Sequence, residues 1–473
     1  MMTDSLDCDV CVIGAGAAGL SVAVGAAQLG ARTVLFERGE MGGECLNYGC
    51  VPSKALLAAA HAAHAIETAR QFGLSPSTPQ VDFRAVMEHV REVIAQIAPH
   101  DSVERLERLG VRVVRARAAF TGREEVSGGG IAVRARRFVI AAGSSAAIPA
   151  IAGIGDVPVL TNETLFALDE RPAHLLIIGA GPVGVEMAQA FRRLGSTVTL
   201  FEQGSLLPRD EPELVKILRE RLVADGIDIR EGARISAIAR AADGIVIRDA
   251  SGQEVAGSHL LVAAGRQPRL ADLALEGAGI AYTPRGITVD ERLRTTHRRV
   301  YALGDVIGPP QFTHVAGYQA GIVIRNALFR LRAKVDYRAL PRVTYCDPEL
   351  AHVGLTETQA RERFGASVEA VHASLADNDR ARAERQTAGA IKVIIDRRGT
   401  ILGAGILAPH AGEQIPLWGL AIARRLRLSA LSGLIVAYPT RGELAKAAVS
   451  AFYAPKLFGP WPRRLVRLLL SLT

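Results

Sequence analysis

A repeated glycine-rich pattern constrains the fold of this 473-residue chain more than any other feature. The first copy runs from Gly14 to Glu37 and the second from Gly179 to Glu202, with the same separation. In each copy an apolar, β-rich run meets a Gly-x-Gly-x-x-Gly turn, a helical stretch follows, and a second apolar run ends in Glu. This order is typical of the βαβ unit of a doubly wound parallel sheet. We therefore predict an α/β chain with two Rossmann-like nucleotide-binding domains.

The residues of both turns are candidates for binding a dinucleotide. The first glycine makes the turn, the second lets the backbone approach a pyrophosphate, and the third lets helix and strand pack closely. The helix N-terminus directs partial positive charge toward the phosphates, and the terminal Glu accepts hydrogen bonds from ribose hydroxyls. The candidates are Gly14, Gly16, Ala17, Ala18, Gly19, Glu37 and Arg38 in the first copy, and Gly179, Gly181, Val183, Gly184 and Glu202 in the second.

Two cysteines five positions apart follow the first copy. Cys45 and Cys50 lie behind a Gly-Gly turn, at the predicted entry to a helix from Lys54 to about Ala69. Such a pair can bond together, bind a metal, cycle as a redox couple, or be two buried structural cysteines. Because two nucleotide units accompany the pair, we favour the redox couple. Since the pair directly follows the first unit, we assign FAD to that unit and NAD(P)H to the second.

The second unit also contains a signal for the choice of coenzyme. A carboxylate at Glu202 binds a free ribose 2′-hydroxyl and repels a 2′-phosphate, which favours NAD over NADP. Arg192 and Arg193, in the preceding helix, are expected to be solvated helix positions rather than phosphate ligands.

Composition excludes several other classes of protein. The length allows roughly three domains of ~150 residues, and five cysteines are too few and too scattered for a disulfide framework. The net charge of +8 is spread along the chain without a basic block containing aromatics, so no nucleic-acid partner is expected. No export signal or apolar run of ~18 residues occurs, so a cytoplasmic location is expected. No resident metal site is predicted, including at Cys8-x-x-Cys11.

These motifs resemble those of the class I pyridine nucleotide–disulfide oxidoreductases, which include dihydrolipoyl dehydrogenase, glutathione reductase and mercuric reductase. The resemblance covers nearly the full length. Its motifs are Gly43-Glu44-Cys45 to Cys50-Val51-Pro52-Ser53-Lys54, Ala141-Ala142-Gly143, Ala263-Ala264-Gly265-Arg266, Thr295-Thr296 with Val300 to Asp305, and Tyr345 to Glu357.

The resemblance implies roles for individual residues. Cys45 and Cys50 would form the redox-active disulfide, with Cys45 facing the substrate and Cys50 facing the flavin. Lys54 would lie near flavin N5 with Glu186 as its ion-pair partner, and Asp305 would bind the ribityl chain. The remaining implied site residues are Gly43, Gly143 and Gly304 for FAD, and Gly265 and Arg266 for NAD.

The same resemblance implies the domain organisation and a homodimer. The FAD domain would span residues 1–150 and return at 271–340, around an NAD(H) domain at 151–270. An interface domain would occupy 341–452, where the alternating run at 391–395 is typical of a strand. In this family the substrate site includes the partner's C-terminal domain. Residues 453–473 form a basic, apolar tail.

One departure from the family bears on the substrate. Disulfide reductases and dihydrolipoyl dehydrogenases carry a His as general acid/base where this chain has Tyr438, and a Glu corresponding to Glu443 orients that His. A phenol with a pKa near ~10 is a poorer proton carrier at neutral pH than an imidazole near ~6.5. We therefore predict slow exchange with lipoamide or glutathione, unless another base such as His410 acts. Mercuric reductases also lack this His but end in a cysteine pair that this sequence does not contain; Cys346 is expected to be a buried structural thiol.

The predicted function is an FAD-dependent, NAD(P)H-linked disulfide oxidoreductase. Electrons would pass from NADH through FAD to Cys50 and Cys45, and then to a disulfide, a thiol-bound metal ion or a related thiophilic acceptor. One alternative is dihydrolipoyl dehydrogenase proper. Another is a membrane-associated NADH:quinone oxidoreductase, because the basic residues, Trp461 and leucines of the tail suit an interfacial helix; the tail could instead pack on its own dimer. A non-enzymatic protein that retained the fold is the third alternative.

Overall fold

A computed structural model describes residues 4–75, 80–242 and 244–472. The strands are β1 Asp4–Ile13, β2 Thr33–Phe36, β3 Val111–Val114, β4 Ala119–Phe120, β5 Glu125–Gly128, β6 Ile131–Ile140, β7 Ser144–Ala146, β8 Val159–Leu160, β9 His174–Ile178, β10 Thr197–Phe201, β11 Asp228–Arg230, β12 Ile235–Ala241, β13 Gly244–Asp249, β14 Glu254–Gly257, β15 His259–Val262, β16 Arg266–Pro268, β17 Tyr282–Thr283, β18 Gly286–Ile287, β19 Val300–Ala302, β20 Pro341–Thr344, β21 Glu349–Gly354, β22 Glu369–Ser374, β23 Ala390–Ile395 and β24 Ile401–Ala408. The helices are α1 Ala17–Gln28, α2 Gly43–Asn47, α3 Cys50–Thr68, α4 Phe83–Ile97, α5 Val103–Arg108, α6 Asn162–Leu165, α7 Pro182–Arg193, α8 Pro212–Ala224, α9 Thr313–Ala327, α10 Glu357–Phe364, α11 Asp379–Ala383, α12 Ala411–Ala423, α13 Glu443–Leu457 and α14 Pro460–Leu470.

The chain divides into two compact units, and the first contains the N-terminal glycine loop. This unit comprises the chain up to residue 179, residues 194–196 and residues 235–335. Its largest sheet has the order β3-β2-β1-β6-β5-β4, and β19 also pairs with β6. The strands β1, β2, β3, β6 and β19 pair in parallel, whereas β4 and β5 are antiparallel. The glycine loop therefore follows the central strand of a parallel sheet, where α/β proteins bind ligands.

Burial on both faces explains why β1 is a central strand. Val10, Cys11 and Val12 are at most 1% exposed, as expected for a parallel strand covered by helices. The helices α1 and α9 pack together beside this sheet. A Cβ atom at Gly25 would lie 2.5 Å from Ile324 Cδ1, so a side chain there would displace the end of the Ile324 side chain.

Smaller sheets complete the first unit. In this unit β8 and β9 both pair in parallel with β15. The strands β12, β13 and β14 form an antiparallel sheet, and β7 pairs with β16.

The second compact unit comprises residues 180–193, 197–234 and 336–473. Within it, β10 and β11 pair in parallel, and five antiparallel strands form a sheet of order β20-β21-β24-β23-β22. Helix α12 packs on β21 and β24, and α13 packs on β22 and β23. Trp418 is 1% exposed in the resulting core. The prediction of a strand at residues 391–395 is confirmed by β23.

A buried lysine connects several elements of this second unit. Lys392 on β23 is 1% exposed. Its Nζ lies 2.9 Å from Glu211, 2.9 Å from Glu213 and 2.7 Å from Glu357. Three carboxylates compensate the lost hydration of the ammonium group, without which a buried charge is strongly unfavourable.

The α/β fold predicted from the two glycine loops is confirmed. The helix expected from Lys54 begins four residues earlier, at Cys50, and ends at Thr68. The four-part domain boundaries stay a prediction. Within the described ranges, no helix combines the length and apolar character that a membrane span requires.

Candidate active site

The two cysteines of the predicted redox pair lie in adjoining helices. Cys45 is in the short helix α2, and Cys50 is the first residue of α3. Cys45 is partly buried and Cys50 is exposed, and the two are not joined by a disulfide in this structure. Cys50 therefore lies at the N-terminus of a long helix, where the helix carries partial positive charge.

Hydrogen bonds determine where the proton of this pair lies. Cys45 shares hydrogen bonds with Cys50 and Thr313, and Thr313 Oγ1 lies 3.4 Å from Cys50 Sγ. The hydrogen bond to Cys50 and, after it, burial raise the pKa of Cys45 well above its ordinary value. Cys45 therefore keeps its proton at neutral pH. A base must remove that proton before Cys45 can attack a disulfide, because the thiolate is the nucleophile.

The first glycine loop has the geometry that a pyrophosphate needs. Gly14 has a φ of +103°, and a Cβ at Gly19 would lie 1.8 Å from Gly14 O, so both positions require glycine. A Cβ at Gly16 would meet no atom within 4 Å, which leaves open space over the loop. Ala17 and Ala18 begin α1, whose N-terminus faces this space. The loop residues therefore fit the phosphates of a dinucleotide.

The carboxylate of Glu37 is fixed against this loop. Its Oε2 accepts a hydrogen bond of 2.6 Å from the Ala15 amide, and its Oε1 accepts one of 2.6 Å from the Gly39 amide. Arg38 is exposed beside it. The carboxylate thus lies at the end of β2 where a ribose would bind.

The redox segment packs directly on the first glycine loop. A Cβ at Gly43 would lie 2.7 Å from Gly16 Cα, so the two backbones are in contact. Lys54, one helical turn beyond Cys50, has its Nζ 3.4 Å from Ser53 Oγ. The thiol pair and the nucleotide loop therefore form one continuous site.

A half-buried charge network adjoins this site. Arg266 forms ion pairs with Glu44 and with Asp305, the latter at 3.2 Å, and donates to Ser144 Oγ at 2.8 Å. Ser144 in turn donates to Asp305 Oδ2 at 2.6 Å. Burial is the largest influence on the Glu44 carboxyl and raises its pKa, although Arg266 opposes it. The guanidinium of Arg266, predicted for the NAD site, thus contacts the residue before Cys45 and the predicted FAD ligand Asp305.

Two glycines predicted to bind FAD, Gly304 and Gly143, lie next to residues of this network. Gly304 N donates to Gln319 Oε1 at 2.7 Å, and a Cβ at Gly304 would lie 3.1 Å from Ala18 Cβ. Gly143 directly precedes β7. Both therefore lie in the first unit, and their binding of FAD stays a prediction.

The second glycine loop repeats the geometry of the first. Gly179 has a φ of +105°, and a Cβ at Gly181 would meet no atom within 4 Å. Glu202 accepts hydrogen bonds from the Ala180 amide at 2.8 Å and from the Gly204 amide at 2.9 Å. Val183 is 48% exposed at the start of α7, whereas Gly184 is buried. Gly265 follows β15, with no atom within 4 Å of a Cβ there.

Helix α7 has a buried polar side that the sequence did not reveal. Glu186 is 4% exposed and accepts a hydrogen bond from the Tyr345 amide at 2.9 Å; its pairing with Lys54 stays a prediction. Arg193 is 5% exposed and lies 3.1 Å from Asp225 and 2.9 Å from Asp347. The expectation that Arg193 is a solvated helix position is therefore wrong. Its two carboxylate partners explain why a guanidinium is stable there.

Tyr438 has a different partner from the one expected for a base in this position. Its hydroxyl donates to Asp379 Oδ2 at 3.2 Å, and the residue is 71% exposed. The hydrogen bond to Asp379 raises the pKa of Tyr438 above its ordinary value. Glu443, at the start of α13, instead accepts a hydrogen bond from the Thr440 amide at 3.4 Å. Tyr438 is thus even less able to accept a proton at neutral pH than a free phenol.

His410, the alternative base, lines a small cavity near this tyrosine. The cavity has a volume of about 220 Å³, and His410 shares it with Thr440, Arg441 and Arg380. Thr440 is two residues from Tyr438, so an imidazole is available on the same surface of the second unit.

Comparisons with known proteins agree with these features. Residues 8–320 match the family described as pyridine nucleotide-disulphide oxidoreductase, and residues 340–449 match the dimerisation domain of that family. A mercuric reductase from Streptomyces lividans is 38% identical over 455 residues, which cover 94% of this chain and 96% of that protein. A dihydrolipoyl dehydrogenase from Geobacillus stearothermophilus is 32% identical, covering 94% of this chain and 96% of its own. The Cu(II) complex of the HOCl-induced flavoprotein disulfide reductase RclA from Escherichia coli is 31% identical, with a TM-score of 0.84 over 93% of this chain and 98% of that one.

Proposed function

Because the chain belongs to the pyridine nucleotide-disulphide oxidoreductase family, we propose that it uses NADH to reduce a thiophilic metal cation held by Cys45 and Cys50. The predicted class is confirmed: the chain is an FAD-dependent, NAD(P)H-linked disulfide oxidoreductase. Its dimerisation domain indicates a homodimer. The choice of NADH, the acceptor and the individual residue roles are the proposal.

The proposal of a metal cation as the acceptor rests on the proton chemistry of Tyr438. Reduction of a disulfide requires a group that takes the proton of Cys45 and returns it to the leaving thiolate. A phenol that is bonded to Asp379 does not serve this purpose near pH 7. Reduction of a bound cation breaks two metal–sulfur bonds and leaves Cys45 and Cys50 as thiolates of the enzyme, ready for the next cation. No thiol product has to be protonated, so this reaction does not need that group. The tyrosine therefore favours a metal cation over lipoamide or glutathione disulfide.

The thiol pair is suited to a soft cation. Thiolates are the preferred ligands of soft metal ions, and metal binding displaces the thiol protons. The high pKa of Cys45 is then overcome by the cation itself, without a separate base. The reaction balances as NADH plus a divalent cation giving NAD⁺, a proton and the metal atom. Mercuric reductase is the activity of the Streptomyces relative, and a Cu(II) complex is known for the structural relative RclA.

The residues around the thiols would bind FAD and position it beside the thiol pair. When bound, FAD would take two electrons from NADH and pass them to the cation that the thiol pair holds. The first glycine loop, Glu37 and Asp305 would bind FAD, and Lys54 would place its ammonium group beside the reactive ring. The redox segment, held on the first loop through Gly43 and Gly16, would fix Cys50 next to that ring. Arg266 would hold Asp305 and the residue before Cys45 in a single arrangement.

The second loop would bind NADH. Glu202 is an acceptor for two backbone amides, and its remaining lone pairs would accept hydrogen bonds from the ribose hydroxyls. A 2′-phosphate would meet the same carboxylate at the cost of charge repulsion. Glu186, buried on α7, would order the nicotinamide side of the site. In the homodimer the interface domain, including Tyr438 and Glu443, would contribute to the partner's acceptor site.

Two other functions have some support. Dihydrolipoyl dehydrogenase activity is favoured by the relative from Geobacillus stearothermophilus and by the availability of His410. A membrane-associated NADH:quinone oxidoreductase is favoured by the exposed apolar helix α14. Both of these alternative functions are consistent with a cytoplasmic protein that contacts a membrane only at its surface.

An acceptor panel under anaerobic conditions tests the proposal. NADH oxidation by the FAD-loaded enzyme is measured with mercuric ion, cupric ion, lipoamide, glutathione disulfide and a soluble quinone. We expect the metal ions to give the fastest turnover and lipoamide to give little. Fast lipoamide or quinone turnover with none on metal ions would reject the proposal in favour of the corresponding alternative.

Two variants of Tyr438 separate the chemistry of this residue from its shape. Tyr438→His should raise lipoamide turnover, by about 10-fold, because an imidazole holds and returns a proton near pH 7. Tyr438→Phe, the matched control, should change lipoamide turnover little and leave metal turnover intact. If Tyr438→Phe abolishes turnover of every acceptor, the phenol is already a working acid or base and the argument from Tyr438 fails.

A further inference from the structure

The last helix of the chain presents a complete apolar face to solvent. None of the residues of α14 is buried. Trp461, Leu465, Leu468 and Leu469 follow the i, i+4, i+7, i+8 spacing that places side chains on one side of a helix. Their side chains are 72%, 41%, 58% and 54% exposed. A face of this kind is unfavourable in water and requires a partner surface.

The polar face of the same helix is entirely cationic. Arg463, Arg464 and Arg467 are exposed on it. Between Leu444 and Leu472 the sequence has five lysines and arginines and no Asp or Glu. The matching partner surface therefore combines an apolar interior with negative charge.

Two surfaces could cover α14: a second copy of the chain or a lipid membrane. The match to the dimerisation domain ends at residue 449, before α14 begins. A second copy would bring an equally cationic face, which repels the first, whereas anionic headgroups attract it. The apolar surface also continues onto Leu457 and Phe458, which are 60% and 67% exposed at the end of α13.

We propose that α14 binds the surface of an anionic lipid membrane, lying in the interface with its apolar side toward the acyl chains. An amphipathic helix with a Trp, leucines and arginines is the usual element for this purpose, and its apolar side enters the headgroup boundary by ~5–10 Å. The arginines would contact lipid phosphates. Membrane binding by α14 does not depend on which electron acceptor the enzyme reduces, so it can be tested separately from the proposed function.

Vesicle co-sedimentation of the FAD-loaded homodimer tests this surface without any acceptor. The intact protein should sediment with vesicles of phosphatidylcholine and phosphatidylglycerol, and much less with phosphatidylcholine alone. A truncation after Phe458 should remain soluble with both. Bound FAD and NADH oxidation in bulk solution should be equal in both proteins, which shows that the truncated form is folded.

Substitutions within α14 separate charge from hydrophobicity. Replacing the three arginines by Gln should weaken binding by about five-fold for each residue, on the order of 100-fold in total. Replacing them by Lys, the matched control, should retain most of the affinity. Emission from Trp461 should shift to shorter wavelength with anionic vesicles, and Trp418, 1% exposed, supplies an unchanging background.

Two outcomes would overturn the inference. One is that the intact and truncated proteins sediment equally with anionic vesicles. The other is that the intact protein ignores vesicles while truncation converts the dimer to monomers in light scattering, which would show that a second copy covers α14.

Discussion

The two glycine loops of this enzyme have nearly the same backbone but different surroundings. Gly14 and Gly179 have φ values of +103° and +105°. In each loop the amide after this glycine donates to a Glu at the end of the next strand, at 2.6 Å for Glu37 and 2.8 Å for Glu202. Only the first loop supports a thiol pair, through the contact of Gly43 with Gly16. The second is followed by a helix in which the polar residues Glu186, Gln189 and Arg193 are buried.

This difference shows how one unit can serve two purposes. The shared part of each loop is what a dinucleotide needs: open space over the backbone, a helix N-terminus and a fixed carboxylate. The reactivity comes from the segment packed against the loop. The first loop should therefore determine whether electrons reach an acceptor, and the second which coenzyme supplies them. The following experiments test that division, beginning with the largest effect.

Removing either thiol should give the largest effect. Cys45→Ser and Cys50→Ser should each reduce metal-ion turnover to background, because in the proposed reaction both thiols hold the cation. Neither change touches the second loop, so the dissociation constant of NADH, measured by fluorescence titration, should stay within about two-fold of that of the native enzyme. A variant that still reduces the acceptor at a native rate would disprove the role of the pair.

Alanine at the first glycine of each loop should separate the two nucleotides. A Cβ at Gly14 would lie 2.4 Å from Ala141 O, and one at Gly179 would lie 2.5 Å from Ala263 O. With backbone strain of about 1–3 kcal/mol at a positive φ, Gly14→Ala should lose bound FAD. Gly179→Ala should keep FAD but raise the KM for NADH by roughly 10- to 100-fold. FAD content is read from absorbance.

Gly30 offers a matched control for these two variants. Its φ is +85°, and a Cβ there would meet no atom within 4 Å. Gly30→Ala therefore introduces backbone strain without a clash at either loop, and it should lower thermal stability while FAD content and KM change little. If Gly14→Ala behaves like Gly30→Ala, the first loop is not the FAD site.

The two glutamates provide a milder test of the same division. Each accepts two amide hydrogen bonds, and a hydrogen bond to a charged group contributes about 1.5–3 kcal/mol. Glu37→Gln should weaken FAD retention. Glu202→Gln should raise the KM for NADH by about 10-fold and reduce the preference for NADH over NADPH, since the repulsive charge is gone. If NADPH is already the better coenzyme of the native protein, a group other than Glu202 controls the second site.

The smallest effect concerns the proton on Cys45. Since its pKa is raised, less thiolate is present at neutral pH. Alkylation of Cys45 in the reduced enzyme should keep increasing above pH ~9.5, where thiols with the ordinary pKa of ~8.5 level off. In Cys50→Ala the largest cause of the shift is removed, so the profile should move to lower pH. Peptide mapping after iodoacetamide treatment gives both profiles, and Cys346, 0% exposed, is the unreactive control. Identical profiles in the two proteins would contradict the shared hydrogen bond.

The sequence predicted what is local along the chain and missed what depends on distant residues. The loops, Glu37, Glu202 and the cysteine pair are each recognisable within 24 consecutive residues. Arg193 was misjudged because its partners Asp225 and Asp347 are 32 and 154 positions away.

The partners of the residues predicted to be catalytic were missed for the same reason. The contact of Thr313 with Cys50 joins residues 263 positions apart, and Tyr438 finds Asp379 across 59. A motif gives the position of such a residue, whereas its protonation depends on neighbours that only the folded chain supplies.

Lys392, which is enclosed by three glutamates, allows the opening of its sheet in the interface domain to be measured. Amine-reactive labels modify uncharged, accessible amines, and Lys392 is neither while β23 stays in its sheet. Its labelling rate in mass spectrometry would therefore count the openings of that sheet, on a site that no acceptor or coenzyme is expected to cover. The exposed Lys456 in the same unit gives the unprotected reference rate. The ratio of the two labelling rates therefore reports how often the sheet around Lys392 opens.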